Sequence, residues 1–223
     1  PLAYRMKPTK LEDFYGQEDI VGKDKLLYRL IKADKLTSAI FWGPPGCGKT
    51  SLARVIASTT KNKFVTLNAT TSGVSDIKSV VEEAQNIFTN PTGKVILFID
   101  EIHRFNKLQQ DALLPHVEKG TVILIGATTE NPYFSVNKAL ISRSTVFKFK
   151  ALEDKDIVKI LNNCISDSEN GLGKYNLEVK DDALEYISMC SNGDVRTALN
   201  ALELAVLSTD MNGEGKIVID KNI

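Results

Sequence analysis

Gly43-Pro44-Pro45-Gly46-Cys47-Gly48-Lys49-Thr50 matches the phosphate-binding template G-x-x-x-x-G-K-[ST] at every fixed position. The apolar run Ala39-Ile40-Phe41-Trp42 stands immediately before it, and Thr50-Ser51-Leu52-Ala53-Arg54-Val55-Ile56-Ala57 follows with the composition of a helix. Strand, loop and helix in that order are the context the motif needs. The glycines let backbone N–H groups close around phosphate oxygens with no Cβ in the way. The start of the helix adds favourable partial charge for an anion. In such a loop Lys49 reaches the β- and γ-phosphates and the Thr50 hydroxyl coordinates Mg²⁺. Gly43, Pro44, Pro45, Gly46, Cys47, Gly48 and Ser51 complete the expected cradle. The pattern is that of a nucleoside-triphosphate site.

Outward from this loop, strands and helices alternate. Lys63-Phe64-Val65-Thr66-Leu67 is β-rich, and Asp76 to Phe88 repeats apolar residues at three- and four-residue steps, the period of an amphipathic helix closed by Asn90-Pro91-Thr92-Gly93. Val95-Ile96-Leu97-Phe98-Ile99 and Val122-Ile123-Leu124-Ile125 are apolar throughout, so each is read as a strand buried on both faces. Asn106 to Lys119 reads as a helix that Pro115 kinks or shortens. Val146 to Phe149 supplies a fifth strand. The expected fold is α/β, a parallel five-stranded sheet sandwiched by helices over residues 23–150. Residues 1–22 read as an extended, mostly irregular lead-in. From Leu152 the pattern is helical, over Asp154 to Asp167, Asp181 to Cys190 and Asp194 to Ser208, giving a small all-helical lid over residues 151–223. Lys216 to Ile219 has strand character and is expected to lack a partner in this chain, opening a further region instead.

Bulk composition excludes more than it assigns. Lys plus Arg equals Asp plus Glu, 28 each in 223 residues, so a nucleic-acid surface would have to be a local patch or belong to an assembly. No apolar run approaches a membrane span, no signal-peptide pattern is present, and the start at Pro1 reads as a trimmed one. Cys47, Cys164 and Cys190 lack disulfide or zinc spacing, which fits a reducing cytoplasm. His103 and His116 lack metal-ligand spacing and read as structural or partner contacts.

A second group of residues turns binding into chemistry. Asp100-Glu101 ends a buried strand, where parallel sheets place their ligands. Asp100 is expected to hold Mg²⁺ together with Thr50, and Glu101 to polarise the water that attacks a γ-phosphate. Thr128-Thr129, at the next strand end, offers hydroxyls that either meet that phosphate or bond the local backbone. Arg143 serves as a surface ion pair or as an arginine finger reaching a neighbour's nucleotide. Arg196, a cation in the first turn of a helix, is better aimed at an anion than at solvent.

The order of these features is that of AAA+ ATPases. Pro1-Leu2-Ala3-Tyr4-Arg5-Met6, Asp100-Glu101-Ile102-His103-Arg104-Phe105-Asn106, Gln110-Asp111-Ala112-Leu113-Leu114-Pro115-His116 and Gly126-Ala127-Thr128-Thr129-Glu130-Asn131-Pro132 resemble the replication-associated recombination protein A family, whose eukaryotic members are the Werner-helicase-interacting ATPases. The resemblance implies a clamp-loader-like ATPase using ATP and Mg²⁺ at stalled or gapped replication forks. It also implies DNA ends and gaps and single-stranded DNA-binding protein as partners, and a homotetramer held by a C-terminal domain beyond this chain, which alone is expected to be monomeric. Position by position, it makes Thr129 the γ-phosphate sensor, Arg143 the finger acting in trans and Arg196 the lid sensor. It makes Asn68 the residue that restrains Glu101, and the segment from Asp13 to Val21-Gly22 the enclosure of adenine. Cys47 stands where many members have threonine; it is read as an inert filler or as a thiol activated by the helix start. A Holliday-junction branch-migration motor shares the Gly-Ala-Thr-Thr and Ser-Arg features, and a nucleotide-gated scaffold is the non-enzymatic alternative. The compartment expected is bacterial cytoplasm at the nucleoid, or the nucleus in a eukaryote.

Overall fold

Each apolar run of the sequence becomes a strand in the computed structural model, which describes residues 1–91 and 93–222. The strands are β1 (Ser38–Trp42), β2 (Lys63–Asn68), β3 (Val95–Asp100), β4 (Val122–Thr128) and β5 (Ser144–Lys148). They form one sheet in the order β2-β3-β4-β1-β5, every pair parallel. β4 is buried along its whole length and β3 up to Ile99. Burying each Val, Ile or Leu contributes about 1.5–3 kcal/mol, so these two strands carry much of the core.

Helices α1 (Leu2–Arg5), α2 (Glu18–Val21), α3 (Leu26–Lys32), α4 (Lys49–Thr60) and α5 (Val74–Ala84) precede β3. Then come α6 (Lys107–Asp111), α7 (Leu114–Lys119), α8 (Pro132–Ser135) and α9 (Lys138–Ser142), followed in the lid by α10 (Asp154–Ser166), α11 (Asp181–Cys190) and α12 (Val195–Ser208). Leu27, Ile31, Leu52 and Ile56 of α3 and α4 pack with Phe41 and Phe98 on one side of the sheet. Ile77, Val80 and Val81 of α5 pack with Leu97, Ile99 and Leu124 on the other. The lid has its own core around Leu161, Leu184, Leu199 and Leu202. Among the described residues no helix is long and apolar enough to cross a membrane.

Several local expectations are corrected. The mostly irregular lead-in holds three short elements, α1, a 3-10 turn at Leu11–Asp13 and α2. It also spans two cores, because Leu2 packs in the lid while Leu11 and Ile20 pack under the sheet. The amphipathic helix stops at Ala84, so Ile87 and Phe88 are exposed despite their helical spacing. The buried Asn90 side chain donates to the carbonyl of Ala84 (3.1 Å) and closes that end; of the expected stop at Asn90-Pro91-Thr92-Gly93, Thr92 lies outside the described residues. Pro115 does break the 106–119 segment, sitting in the first turn of α7. The strand at Ile217–Ile219 (β7) has a partner after all, Leu177–Val179 (β6), in a parallel pair that completes the lid.

Candidate functional site

A cavity of about 620 Å³ opens where the strand ends, the lead-in and the lid converge. Its floor is the phosphate loop from Pro45 to Ser51; Asp100 and Glu101 enter from β3, and Thr128 and Thr129 from β4. The lead-in supplies Lys7, Phe14 and Tyr15, and the lid supplies Ile160, Asn163 and Arg196.

The loop is shaped by two glycines with left-handed backbone, Gly46 at φ 70° and Gly48 at φ 105°. Neither tolerates a side chain. A Cβ on Gly46 would overlap the carboxylate of Asp194, and one on Gly48 would overlap the ring of Phe14. Close approach is therefore what both glycines serve. Asp194 caps α12 by accepting from the Arg196 and Thr197 amides, and the Val195 amide donates to the Gly46 carbonyl (3.2 Å). The lid thus rests its helix start directly on the phosphate loop. Gln17 fastens the lead-in to the same place. Its side chain donates to the carbonyls of Cys47 (3.3 Å) and Lys150 (2.6 Å) and accepts from the Lys150 amide (2.9 Å).

Lys49 is buried, and its ammonium donates to the carbonyls of Gly43 and Pro44, each at 2.7 Å. Burial pushes its pKa down, opposed by the nearby Cys47 and Asp100. Lys7 is also lowered, first by burial and then by the positive charges of Arg54 and Arg196. Lys7, Lys49 and Arg196 line one cavity, and cations gathered in that way form the field of an anion site. Arg196 lines it while keeping a long contact to Asp194 (3.8 Å).

Glu101 sits in left-handed backbone, φ 54°, at the turn where β3 gives way to the 3-10 turn Ile102–Arg104. For a non-glycine residue this conformation costs about 1–3 kcal/mol, and it is held by the Glu101 amide donating to Asp100 Oδ1 (2.9 Å). Thr50 and Asp100 face the same cavity. One hydroxyl and one carboxylate, with no cluster of three His, Cys, Asp or Glu among the described residues, suit Mg²⁺, which takes few protein ligands and keeps water and phosphate oxygens.

Other expected site residues lie elsewhere. Gly43 and Pro44 face Lys49 with their carbonyls rather than line the cavity. Val21 packs against the sheet core and Gly22 ends α2, so neither lines the cavity; from the lead-in it is Ala3, residues 5–9 and residues 13–15 that do. Cys47 is not an activated thiol: burial raises its pKa, and its Sγ donates to the Pro44 carbonyl (2.9 Å). The Asn68 side chain accepts from the amide (2.9 Å) and hydroxyl (2.6 Å) of Thr70, an Asx turn at the end of β2 beside Asp100. Arg143, at the end of α9, is outside the cavity; its Nε donates to Glu118 Oε1 (2.7 Å) and its Nη1 to the Ala139 carbonyl (3.0 Å) and Ser142 Oγ (3.2 Å). Lys7 was not singled out from sequence, Gln17 entered only within the segment from Asp13 to Gly22, and Asp194 only as the start of the last helix. Its capping role could have been found, since it is a polar residue at a helix start.

Residues 39–152 match the model of the ATPase family associated with various cellular activities (AAA), and residues 173–223 match that of the AAA C-terminal domain. The chain is 47% identical over 219 residues to replication-associated recombination protein A of Bacillus subtilis (strain 168), covering 98% of this chain and 51% of that protein. It is 44% identical over 207 residues to ATPase WRNIP1 of Dictyostelium discoideum, covering 92% of this chain and 23% of that one. It therefore spans about half the length of the bacterial relative and about a quarter of that of the Dictyostelium one. Among solved structures it resembles the Thermotoga maritima RuvB Holliday junction branch migration motor, with a TM-score of 0.75 and 26% identity over 98% of this chain and 70% of that one.

Proposed function

The chain belongs to the ATPase family associated with various cellular activities, and from that membership we propose that it hydrolyses ATP with Mg²⁺ to remodel DNA assemblies during replication-associated recombination, in the manner of a clamp loader. One observation carries the chemistry. Lys49, Asp100, Glu101 and Thr129 come from three neighbouring strand ends and face one cavity with the lid's Arg196. ATP lays its phosphates along Pro45–Ser51, and Lys49 exchanges its two loop carbonyls for charge-assisted bonds to phosphate oxygens. Thr50 and Asp100, which face the cavity together, would hold Mg²⁺, and the ion would supply positive charge to offset that of the phosphates. Glu101 orients water in line with the γ-phosphorus; an O–P bond forms there as the bond to the β–γ bridging oxygen breaks, leaving ADP and phosphate. Thr129 and Arg196 read the γ-phosphate.

Arg143 lies outside its own cavity with its side chain part-exposed, so another copy of the chain could take it up. It acts there as a finger in trans. The whole protein works as a homo-oligomer, a tetramer by family resemblance, with DNA ends, gaps and forks and single-stranded DNA-binding protein as partners. A bacterial member does so at the nucleoid, a eukaryotic one in the nucleus. The RuvB likeness favours Holliday-junction migration as a second reading, but 47% identity to replication-associated recombination protein A outweighs 26% to that motor.

Steady-state ATPase assays across a protein concentration series, with a panel of DNA structures and with or without single-stranded DNA-binding protein, test the proposal. Turnover per chain should rise with concentration and with gapped or forked DNA. Brisk turnover independent of concentration contradicts a finger supplied in trans.

A further inference from the structure

His103 is almost fully enclosed, its side chain 7% exposed, two residues beyond Glu101. Its Nδ1 meets Thr128 Oγ1 at 2.8 Å, and its Nε2 faces Glu130 Oε1 at 3.9 Å. A carboxylate beside Nε2 favours the ring proton there, which leaves Nδ1 to accept the hydroxyl proton of Thr128. The competing acceptor for that proton, the Glu130 carbonyl, is farther away at 3.4 Å, and the Glu130 amide donates to the same oxygen at 3.0 Å. Thr128 is buried, while Thr129 beside it is exposed to the cavity. The backbone carries the link onward: the Thr128 carbonyl accepts from the Gly43 amide at 3.1 Å, the first residue of the phosphate loop. Gly126 brings the histidine's turn this close, since a Cβ there would stand 2.8 Å from Ile102 Cδ1.

We propose that His103 is a positioning residue that locks the turn of Thr128 and Thr129 onto the turn of Glu101. By taking the single hydroxyl proton of Thr128, it leaves Thr129 as the hydroxyl that donates to the γ-phosphate. The histidine then governs discrimination between ATP and ADP, and the alignment of the sensor with the water-polarising carboxylate, without touching nucleotide itself. The proposal rests on the reading of the cavity as an ATP site.

The test measures ATP and ADP affinities, with Mg²⁺, in a Glu101→Gln background in which ATP persists. His103→Ala should shrink the ATP-over-ADP preference by about three- to tenfold, the loss of one well-made hydrogen bond, with ADP affinity unchanged. His103→Asn, which keeps an acceptor where Nδ1 stood, should restore most of the preference; His103→Gln, whose acceptor falls near Nε2, should not. Thr128→Val removes the bond from its other end and should shrink the preference equally, whether or not His103→Ala folds well. Equal weakening of ATP and ADP means that His103 only supports the fold, and overturns the proposal, as does equivalence of the Asn and Gln variants. A parent chain that binds neither nucleotide overturns the underlying ATP reading instead, and this proposal with it.

Discussion

Glu101, proposed above to polarise the attacking water, holds a strained backbone that the buried β3 behind it and the Asp100 carboxylate on its amide sustain. Glu101→Gln should keep ATP affinity within about twofold and lower turnover by at least about a hundredfold, the usual worth of a general base. Nucleotide titration and single-turnover assays separate the two effects, and lost binding means that the side chain has another role. The thiols give a chemical test at the same scale. Cys47 and Cys164 are buried, the latter with its pKa raised to about 11, whereas Cys190 is exposed. Burial keeps both enclosed thiols protonated at neutral pH, and only the thiolate is nucleophilic. Mass spectrometry after brief alkylation should find Cys190 modified and the other two intact until the protein is unfolded. The cavity residues legible in the sequence were those a local pattern marks: Lys49 and Thr50 follow from the loop spacing, and Asp100-Glu101 from an apolar run ending in acids. What Asp194 and His103 touch was opaque, although one was read as a helix start and the other as structural or a partner contact, because Gly46 and Thr128 lie far along the chain or across a strand.

Among the elements, the least legible were the shortest. β6 and β7 have three residues each and lie some forty residues apart, so no local period announces their pairing. Ile219 is nonetheless fully buried in the lid core. Ile219→Ala should cost about 2–4 kcal/mol and lower the unfolding midpoint in denaturant melts; an unchanged midpoint means the pair is dispensable. Ile87 and Phe88 show the opposite error, apolar residues at helical spacing that a buried asparagine cuts off from the helix. The central strands were plain in the sequence, because a strand covered on both faces must be apolar throughout. Contact between the lid and the phosphate loop is an element-scale device. Gly46→Val imposes a side chain where Asp194 stands and where φ is 70°. Isothermal titration should show ATP affinity falling by at least about tenfold, since the loop or the lid must shift. Undiminished affinity in that variant means that the lid can leave the loop without consequence.

At the scale of the molecule, the cavity belongs to no single domain. The lead-in starts in the lid core at Leu2, where its amide donates to Glu203 (3.0 Å), and runs to the sheet core at Ile20, passing Phe14 over the phosphate loop on the way. Nucleotide bound between lid and sheet therefore has a direct mechanical connection to both, so binding should reorient one against the other. Arg143 looks away from this cavity, held by Glu118, Ala139 and Ser142. That placement is the basis for proposing a site completed by a neighbour. Mixing two inactive variants tests it most directly: Glu101→Gln chains retain Arg143 but cannot turn over ATP, and Arg143→Ala chains retain the water-polarising carboxylate but offer no finger. Assayed together at high concentration, they should hydrolyse ATP several-fold faster than the two measured separately, whereas a mixture no faster than the sum of its parts would contradict the shared site.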